Sequence, residues 1–217
     1  MTTVIAVDGP SGSGKSSTSR GVATKLGFAY LDTGAMYRAM TWAMLNAGVD
    51  VHDAPAVAAA ASGVQIVSGT DPQEPTITVD GVDVAGPIRG SDVTAAVSHV
   101  ASVPQVRSQL VALQRAAIAA AGLGIVAEGR DIGTAVAPDA DLKIYLVADP
   151  VARAERRAAE LGVEDANAMA EALAKRDEID SNRTASPLTQ AADAVVVDGT
   201  HLTLEEVIDH IVGLVPS

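Results

Sequence analysis

The apolar positions of the chain follow two rhythms. Short, nearly continuous apolar runs recur at residues 4–7, 28–31, 125–127, 142–147 and 194–197, the pattern of strands buried on both faces of a parallel sheet. Between them lie segments with apolar residues at helical spacing. Lys15–Leu26 carries Val22, Ala23 and Leu26, and a second segment runs through Tyr37, Met40 and Met44 to Gly48. Asp32-Thr33-Gly34 and Asp149-Pro150 read as helix starts, the latter opening a helix to about Gly162 that is followed by another over about 164–180. Thr203-Leu-Glu-Glu206 is a capping box ahead of a terminal helix through Val207, Ile208 and Ile211. Strand alternating with helix predicts an α/β fold, a five-stranded parallel sheet flanked by crossover helices.

The rhythm changes between residues 49 and 121. An Ala-rich stretch at 53–61 predicts a short helix, residues 64–67 and 76–79 alternate as strands, and Asp80-Gly81 is a hairpin signal before 82–84. Residues 91–102 and 104–121 predict helices, the second with Pro at its first position. The expectation is a core domain of residues 1–48 and 122–217, interrupted at 49–121 by a subdomain with a small antiparallel sheet and helices.

Charge and composition narrow the function. A net charge of -12 and a pI near 4.6 argue against a protein held on nucleic acid or an anionic membrane by its overall field, so any phosphate site must be local. Eleven of the fifteen basic residues are Arg, which suits bidentate phosphate contacts. The chain has no Cys, which excludes a disulfide framework, a thiolate metal site and a thiol nucleophile. No apolar run reaches the length of a membrane span, and a cytoplasmic monomer is expected.

Four clusters carry candidate chemistry. Gly9-Pro10-Ser11-Gly12-Ser13-Gly14-Lys15-Ser16 follows the first strand and opens the first helix, the context in which G-x-x-x-x-G-K-[ST] is a phosphate-binding loop. Its glycines let successive N–H groups turn inward around a polyphosphate, Lys15 adds a positive charge, and Ser16 supplies a hydroxyl where Mg²⁺ would bridge two phosphates. The stretch from Asp32 to Tyr37 and Arg38 puts an Arg one turn into a capped helix, a phosphate ligand or a solvated side chain. Glu128-Gly129-Arg130-Asp131 follows a central strand, at the carboxyl edge where open sheets bind ligands. There Glu128 is suited to hold a Mg²⁺-bound water, Arg130 to clamp a phosphate and Asp131 to accept from a substrate amino group, the plainer reading being a polar turn. Finally, Arg153, Arg156 and Arg157, with Arg176 and Arg183, lie on a helical hairpin at about 150–186. That hairpin is suited to act as a lid closing over polyphosphate and excluding water, unless Glu155 and Glu160 pair with its arginines.

A phosphate loop alone serves switches, motors and kinases alike. Taken with Asp-Gly-Pro-Ser-Gly-Ser-Gly-Lys-Ser from Asp8, Leu-Asp-Thr-Gly-Ala-Met-Tyr-Arg from Leu31, Gly-Arg-Asp-Ile-Gly-Thr from Gly129 and Arg-Asp-Glu-Ile-Asp-Ser-Asn-Arg from Arg176, the chain resembles the bacterial cytidylate kinases, of the nucleoside monophosphate kinase group. The resemblance runs nearly end to end and implies a P-loop kinase fold with an inserted monophosphate-binding subdomain and a helical lid. The implied reaction is phosphoryl transfer from ATP, with Mg²⁺, to CMP and dCMP. By position, Gly9, Pro10, Ser11, Gly12, Ser13, Gly14, Lys15, Ser16 and Ser17 would hold ATP, with Arg153, Arg156 and Arg157 on its phosphates. Arg38, Arg130 and Arg183 would hold the monophosphate, Arg176 and Asp180 the ribose, and Ser98, Arg107 and Asp131 would read cytosine, with Thr33 and Tyr37 beside them. Lys15, Arg130, Arg183 and Arg157 would carry catalysis, and Ser16 and Glu128 the metal. Two positions depart from the family pattern: Glu128 stands where many relatives have Asp, and Ile179 where some have a basic residue. A kinase for another nucleoside monophosphate or small metabolite remains open, as does a nucleotide-dependent switch, although the chain has no Asn-Lys-x-Asp guanine motif.

Overall fold

The chain begins with β1 (Thr3–Asp8), which runs through the glycine-rich loop into α1 (Lys15–Leu26), β2 (Ala29–Asp32) and α2 (Thr33–Asn46). The computed structural model describes residues 2–162 and 165–216, apart from the side chains of residues 160, 161 and 166. Asp32 ends its strand and caps the next helix by accepting the Ala35 N–H at 2.8 Å. That bond satisfies one of the donors a helix start leaves without a partner.

The segment after α2 holds α3 (Ala54–Ala61), then β3 (Ile66–Ser68), β4 (Ile77–Val79) and β5 (Val82–Asp83) as an antiparallel sheet in the order β3-β4-β5. Asp80 and Gly81 join β4 to β5 with φ of 50° and 80°. Two successive positive φ values match the right-handed twist of a hairpin, and Asp-Gly tolerates them. A 3₁₀ turn (Pro87–Arg89), α4 (Ser91–Ala101) and α5 (Pro104–Ala120) complete the segment. Its buried residues Val57, Ile77, Val97 and Leu110 belong to one apolar cluster with Leu31, Met40 and Ile125. The segment therefore shares a core with one face of the main sheet.

The chain then returns through β6 (Gly124–Gly129), β7 (Leu142–Val147), α6 (Pro150–Leu161), α7 (Ala166–Asn182), β8 (Val195–Asp198) and α8 (Leu204–Gly213). The main sheet is five-stranded and parallel, in the order β2-β6-β1-β7-β8. Alternation along its strands sorts side chains between two layers. Ile5, Val7, Tyr30, Val126 and Ile144 pack with Val22 of α1 and Ile208 of α8, whereas Ala6, Leu31, Ile125 and Ala127 pack with α2 and the inserted segment. Each fully buried Ile or Val contributes at most about 1.5–3 kcal/mol.

Two features after β1 differ from the sequence reading. Glu128 and Gly129 lie within β6 instead of just after it, because they continue the pairing with Val7 and Asp8 of β1. Immediately beyond Arg130-Asp131, residues Ile132–Val136 form a π-helical turn, too short to show a helical period, with Ile132 and Val136 in the core. It is held by a distant group: the Asp8 carboxylate accepts the N–H groups of Ile132 and Gly133, each at 2.8 Å. The first described helical residue of α7 is Ala166, capped by Asp165; the start expected near Glu164 lies outside the described residues. Among the described residues no helix is long and apolar enough to cross a membrane.

Candidate active site

Parallel strands bring all their carboxyl ends to one edge, and there a cavity of about 440 Å³ opens between the glycine-rich loop, α2, α4, the turn after β6, α7 and the start of α8. The loop forms its floor. Gly9 has φ 151°, and a Cβ there would come within 2.1 Å of the Leu146 carbonyl oxygen on β7. Only glycine lets the loop turn so close to the sheet. Lys15 is buried, and its Nζ donates to the Pro10 carbonyl at 2.7 Å. Burial and the Arg130 charge push its ammonium well below the usual lysine range, while Glu128, Asp177 and Asp8 oppose that shift.

Behind the loop, Asp177 of α7 accepts the Ser11 N–H at 2.9 Å and pairs with Arg153 of α6, whose Nη1 also donates to the Ser11 carbonyl at 2.9 Å. Arg153 is thus tied to the loop backbone and lies off the cavity wall, whereas Arg156 and Arg157 line it. Arg156 also donates to the Gly199 carbonyl. The i,i+4 pair is therefore split between two tasks. Glu160, weighed above as a partner for these arginines, lies outside the described side chains.

Opposite the loop stands a cluster of carboxylates and guanidinium groups. Asp131 is buried between Arg107, paired through Nη2, and Arg183, whose Nη2 lies 3.3 Å from Oδ1. Asp180 accepts from the Ser98 hydroxyl and from Arg130 Nε, both at 3.2 Å. Arg130 continues to the loop, donating to Ser11 Oγ at 2.7 Å. Arg38 donates to Thr94 Oγ1 at 2.9 Å and to the Ile88 carbonyl at 3.1 Å. Burial is the main cause that lowers its pKa to about 9, with Arg176 and Arg157 adding repulsion. Arg176 is lowered to about 10 by burial, then by Arg130. Such crowded guanidinium groups favour an anion. Burial also raises the Asp131 carboxyl, against the pull of Arg107 and Arg183. Arg107 lies 5.4 Å from the Tyr37 ring centroid, within cation–π range.

Thr33, Tyr37, Arg38, Ser98, Arg130, Asp131, Arg176, Asp180 and Arg183 all line the cavity, as do Ser11 through Ser17. Gly9, Pro10 and Arg107 support the wall from behind. Buried nitrogens Arg107 Nε and Arg176 Nε have no hydrogen-bond partner among the described residues.

At the third corner, Glu128 is buried, with its carboxyl accepting a hydrogen bond from the Tyr30 hydroxyl. Burial and Asp32 push Glu128 up, and Lys15 and the Tyr30 and Ser16 hydroxyls pull it down. Tyr30 is raised so far by burial and by Glu128 that its phenol stays a donor. Away from this corner, Leu202, Leu204 and Val207 give the cavity an apolar end.

Sequence reasoning passed over Asp8, Tyr30, Asp32 and Asp177 as site residues. Asp8 and Asp177 sit inside the quoted motifs, and their acidity in otherwise conventional runs was the available signal. Tyr30 looked like any strand residue.

Comparisons with known proteins give a family and a fold. A family model described as cytidylate kinase matches residues 5–217. The chain is 61% identical over 212 residues to a cytidylate kinase of Streptomyces coelicolor, covering 98% of this chain and 92% of that one. It is 54% identical to one of Nocardia farcinica, covering 96% and 91%. Among solved structures it is similar in fold to a gluconokinase from Sinorhizobium meliloti, with TM-score 0.53, 14% identity and coverage of 97% and 90%. It is likewise similar to a shikimate kinase from Acinetobacter baumannii, with TM-score 0.51, 12% identity and coverage of 99% and 93%.

Proposed function

The chain belongs to the cytidylate kinase family, and on that premise we propose a division of its cavity into a donor half that holds ATP and an acceptor half that holds CMP or dCMP. The reaction is ATP + CMP giving ADP + CDP. One observation carries the division: a single cavity joins the phosphate loop to the Asp131, Asp180 and Arg183 cluster, so a polyphosphate on one wall faces a monophosphate on the other.

In the donor half, the N–H groups from Gly12 to Ser17 and the Lys15 ammonium hold the phosphates at the start of α1, where the helix dipole favours anions. Leu202, Leu204 and Val207 take the apolar face of the base, and Arg156 and Arg157 reach the phosphates from the hairpin at about 150–186. In the acceptor half, Arg38, Arg130 and Arg183 take the monophosphate, and Arg176 and Asp180 the ribose. Asp131 accepts from the cytosine amino group, with Ser98 and Arg107 as donors to its acceptor edge. Arg107 Nε, buried and without a hydrogen-bond partner among the described residues, supports that role. Residues 49–121 act as the acceptor-binding unit.

The groups at the third corner fit Mg²⁺. Ser16, Glu128 and Asp32 offer only hard oxygen donors, and among the described residues there is no group of three or more His, Cys, Asp or Glu able to hold a metal. That matches an ion that keeps waters and substrate phosphates as most of its ligands. When bound with ATP, Mg²⁺ neutralises charge on the β- and γ-phosphates.

Transfer itself needs no bond to the protein. An acceptor phosphate oxygen attacks the γ-phosphorus as the bond to the bridging oxygen breaks, and ADP leaves with that electron pair. Lys15, Arg130, Arg183 and Arg157 align the groups and spread the charge, while closure of the hairpin keeps water out. A coupled ADP-release assay across AMP, CMP, dCMP, UMP and GMP tests the reading. CMP and dCMP should be fastest, and equal or higher rates on AMP would overturn it.

A further inference from the structure

Tyr30 is an apolar-strand residue by its position, yet its hydroxyl is spent on a site carboxylate. Parallel pairing sets Tyr30 beside Val126 and Asp32 beside Glu128. Because side chains alternate along a strand, Tyr30, Asp32, Val126 and Glu128 all face the α1 side of the sheet. The Tyr30 ring is 2% exposed, packed with Val22, Ala23 and Val126, and its Oη donates to Glu128 Oε1. A further contact fixes the Glu128 backbone, Thr33 Oγ1 donating to its carbonyl at 2.6 Å, and Ser16 and Glu128 line the same cavity.

We propose that Tyr30 is a positioning residue that holds the Glu128 carboxylate toward Ser16 and the metal-bearing phosphates. The inference rests on the reading of Ser16 and Glu128 as the metal corner. Its physical basis is the length of glutamate. One methylene more than aspartate gives the carboxylate further reach and one more torsion to immobilise. A rigid phenol anchored in the core fixes that torsion from the second strand, as partners of metal ligands generally do.

The test uses the full chain and reads Mn²⁺ binding to its ADP complex by electron paramagnetic resonance, with ADP affinity measured separately in EDTA by calorimetry. Tyr30→Phe keeps the ring, and its Tm is compared with that of the wild type. The expected result is a loss of about tenfold in Mn²⁺ affinity, with metal-free ADP affinity and the KM for CMP unchanged. Glu128→Gln should lose at least as much, and adding Tyr30→Phe to Glu128→Gln should cost nothing more, since the hydroxyl acts only through that carboxylate. A purely structural tyrosine gives the opposite result: the Tyr30→Phe loss persists in the Glu128→Gln background or falls equally on metal-free ADP, and either outcome overturns the proposal. So does wild-type Mn²⁺ affinity in Tyr30→Phe when Glu128→Gln is impaired. Wild-type Mn²⁺ affinity in Glu128→Gln overturns the metal reading itself, and the role of Tyr30 with it.

Discussion

The two walls of the cavity are built in opposite ways. The loop wall is one continuous stretch, residues 9–17, whose shape comes from backbone conformation and from supports behind it: the Leu146 carbonyl under Gly9, and Asp177 and Arg153 on Ser11. The facing wall gathers Arg38, Ser98, Arg107, Asp131 and Asp180 from separate helices and a turn, with Arg107 held by Asp131, Ser98 by Asp180 and Arg38 by Thr94. The first takes its shape from its main chain. In the second, Asp131 and Asp180 pair with Arg107, Arg183 and Arg130, so removing one strands a buried charge.

The contrast is broken most directly at Asp131. Replacing it with Ala leaves Arg107 and Arg183 buried without their shared carboxylate, which should cost about 3–5 kcal/mol of stability in urea denaturation. Turnover of CMP should collapse while ATP affinity by calorimetry stays near wild type. Equal loss of both affinities would erase the distinction between the walls.

Lys15→Met should behave in the opposite sense. The rate should fall by about 10²- to 10³-fold, the scale of a lost charge-stabilising donor, while the fold is not weakened. The folded state already disfavours the Lys15 ammonium, so removing that charge removes a desolvation cost. A destabilised Lys15→Met protein would contradict the account of the loop as backbone-built.

Smaller effects probe the supports. Thr203 caps α8, with its Oγ1 accepting the Glu206 N–H and Glu206 reaching back to the Thr203 N–H. Thr203→Ala should cost about 1 kcal/mol and raise the KM for ATP, because Leu204 and Val207 line the donor end; an effect on CMP instead would count against that assignment.

The smallest effect should be on pH dependence, at His99 of α4, next to Ser98. Burial, then His52 and Lys175, lower its pKa, and the His52 and His99 ring centroids are 4.5 Å apart. A histidine whose folded pKa lies below its unfolded value binds fewer protons when folded, so stability falls as pH drops through the unfolded pKa of about 6.5. Urea midpoints should therefore fall between about pH 7.5 and 5.5, and His99→Gln should reduce that slope. An unchanged slope would detach His99 from the stability of the acceptor wall.

Legibility followed the same division. The loop was readable to the residue because its chemistry is local: glycines, a lysine and a serine at fixed spacing between a strand and a helix. Arg130, Asp131, Asp180 and Arg183 were readable as members of motifs, but their pairing was not, since Asp131 meets Arg107 and Arg183 only after α5 and α7 have packed. Arg153 shows the limit of helical periodicity. Its i,i+4 relation to Arg157 was correct, yet Asp177 on the next helix draws it away from the cavity. The apolar run 125–127 puts Glu128 just past its strand, whereas pairing with Val7 and Asp32 keeps it inside.

By itself, then, the chain's order of residues determined the alternation of strands and helices, the phosphate loop and the set of charged groups available to a site, because each depends on near neighbours. Only the tertiary structure decided which charges neutralise which, that Asp8 holds the turn after Asp131, and that Tyr30 reaches Glu128. Those contacts join residues up to 125 positions apart, and their strength comes from burial, which no stretch of sequence has until the sheet and its helices close around it.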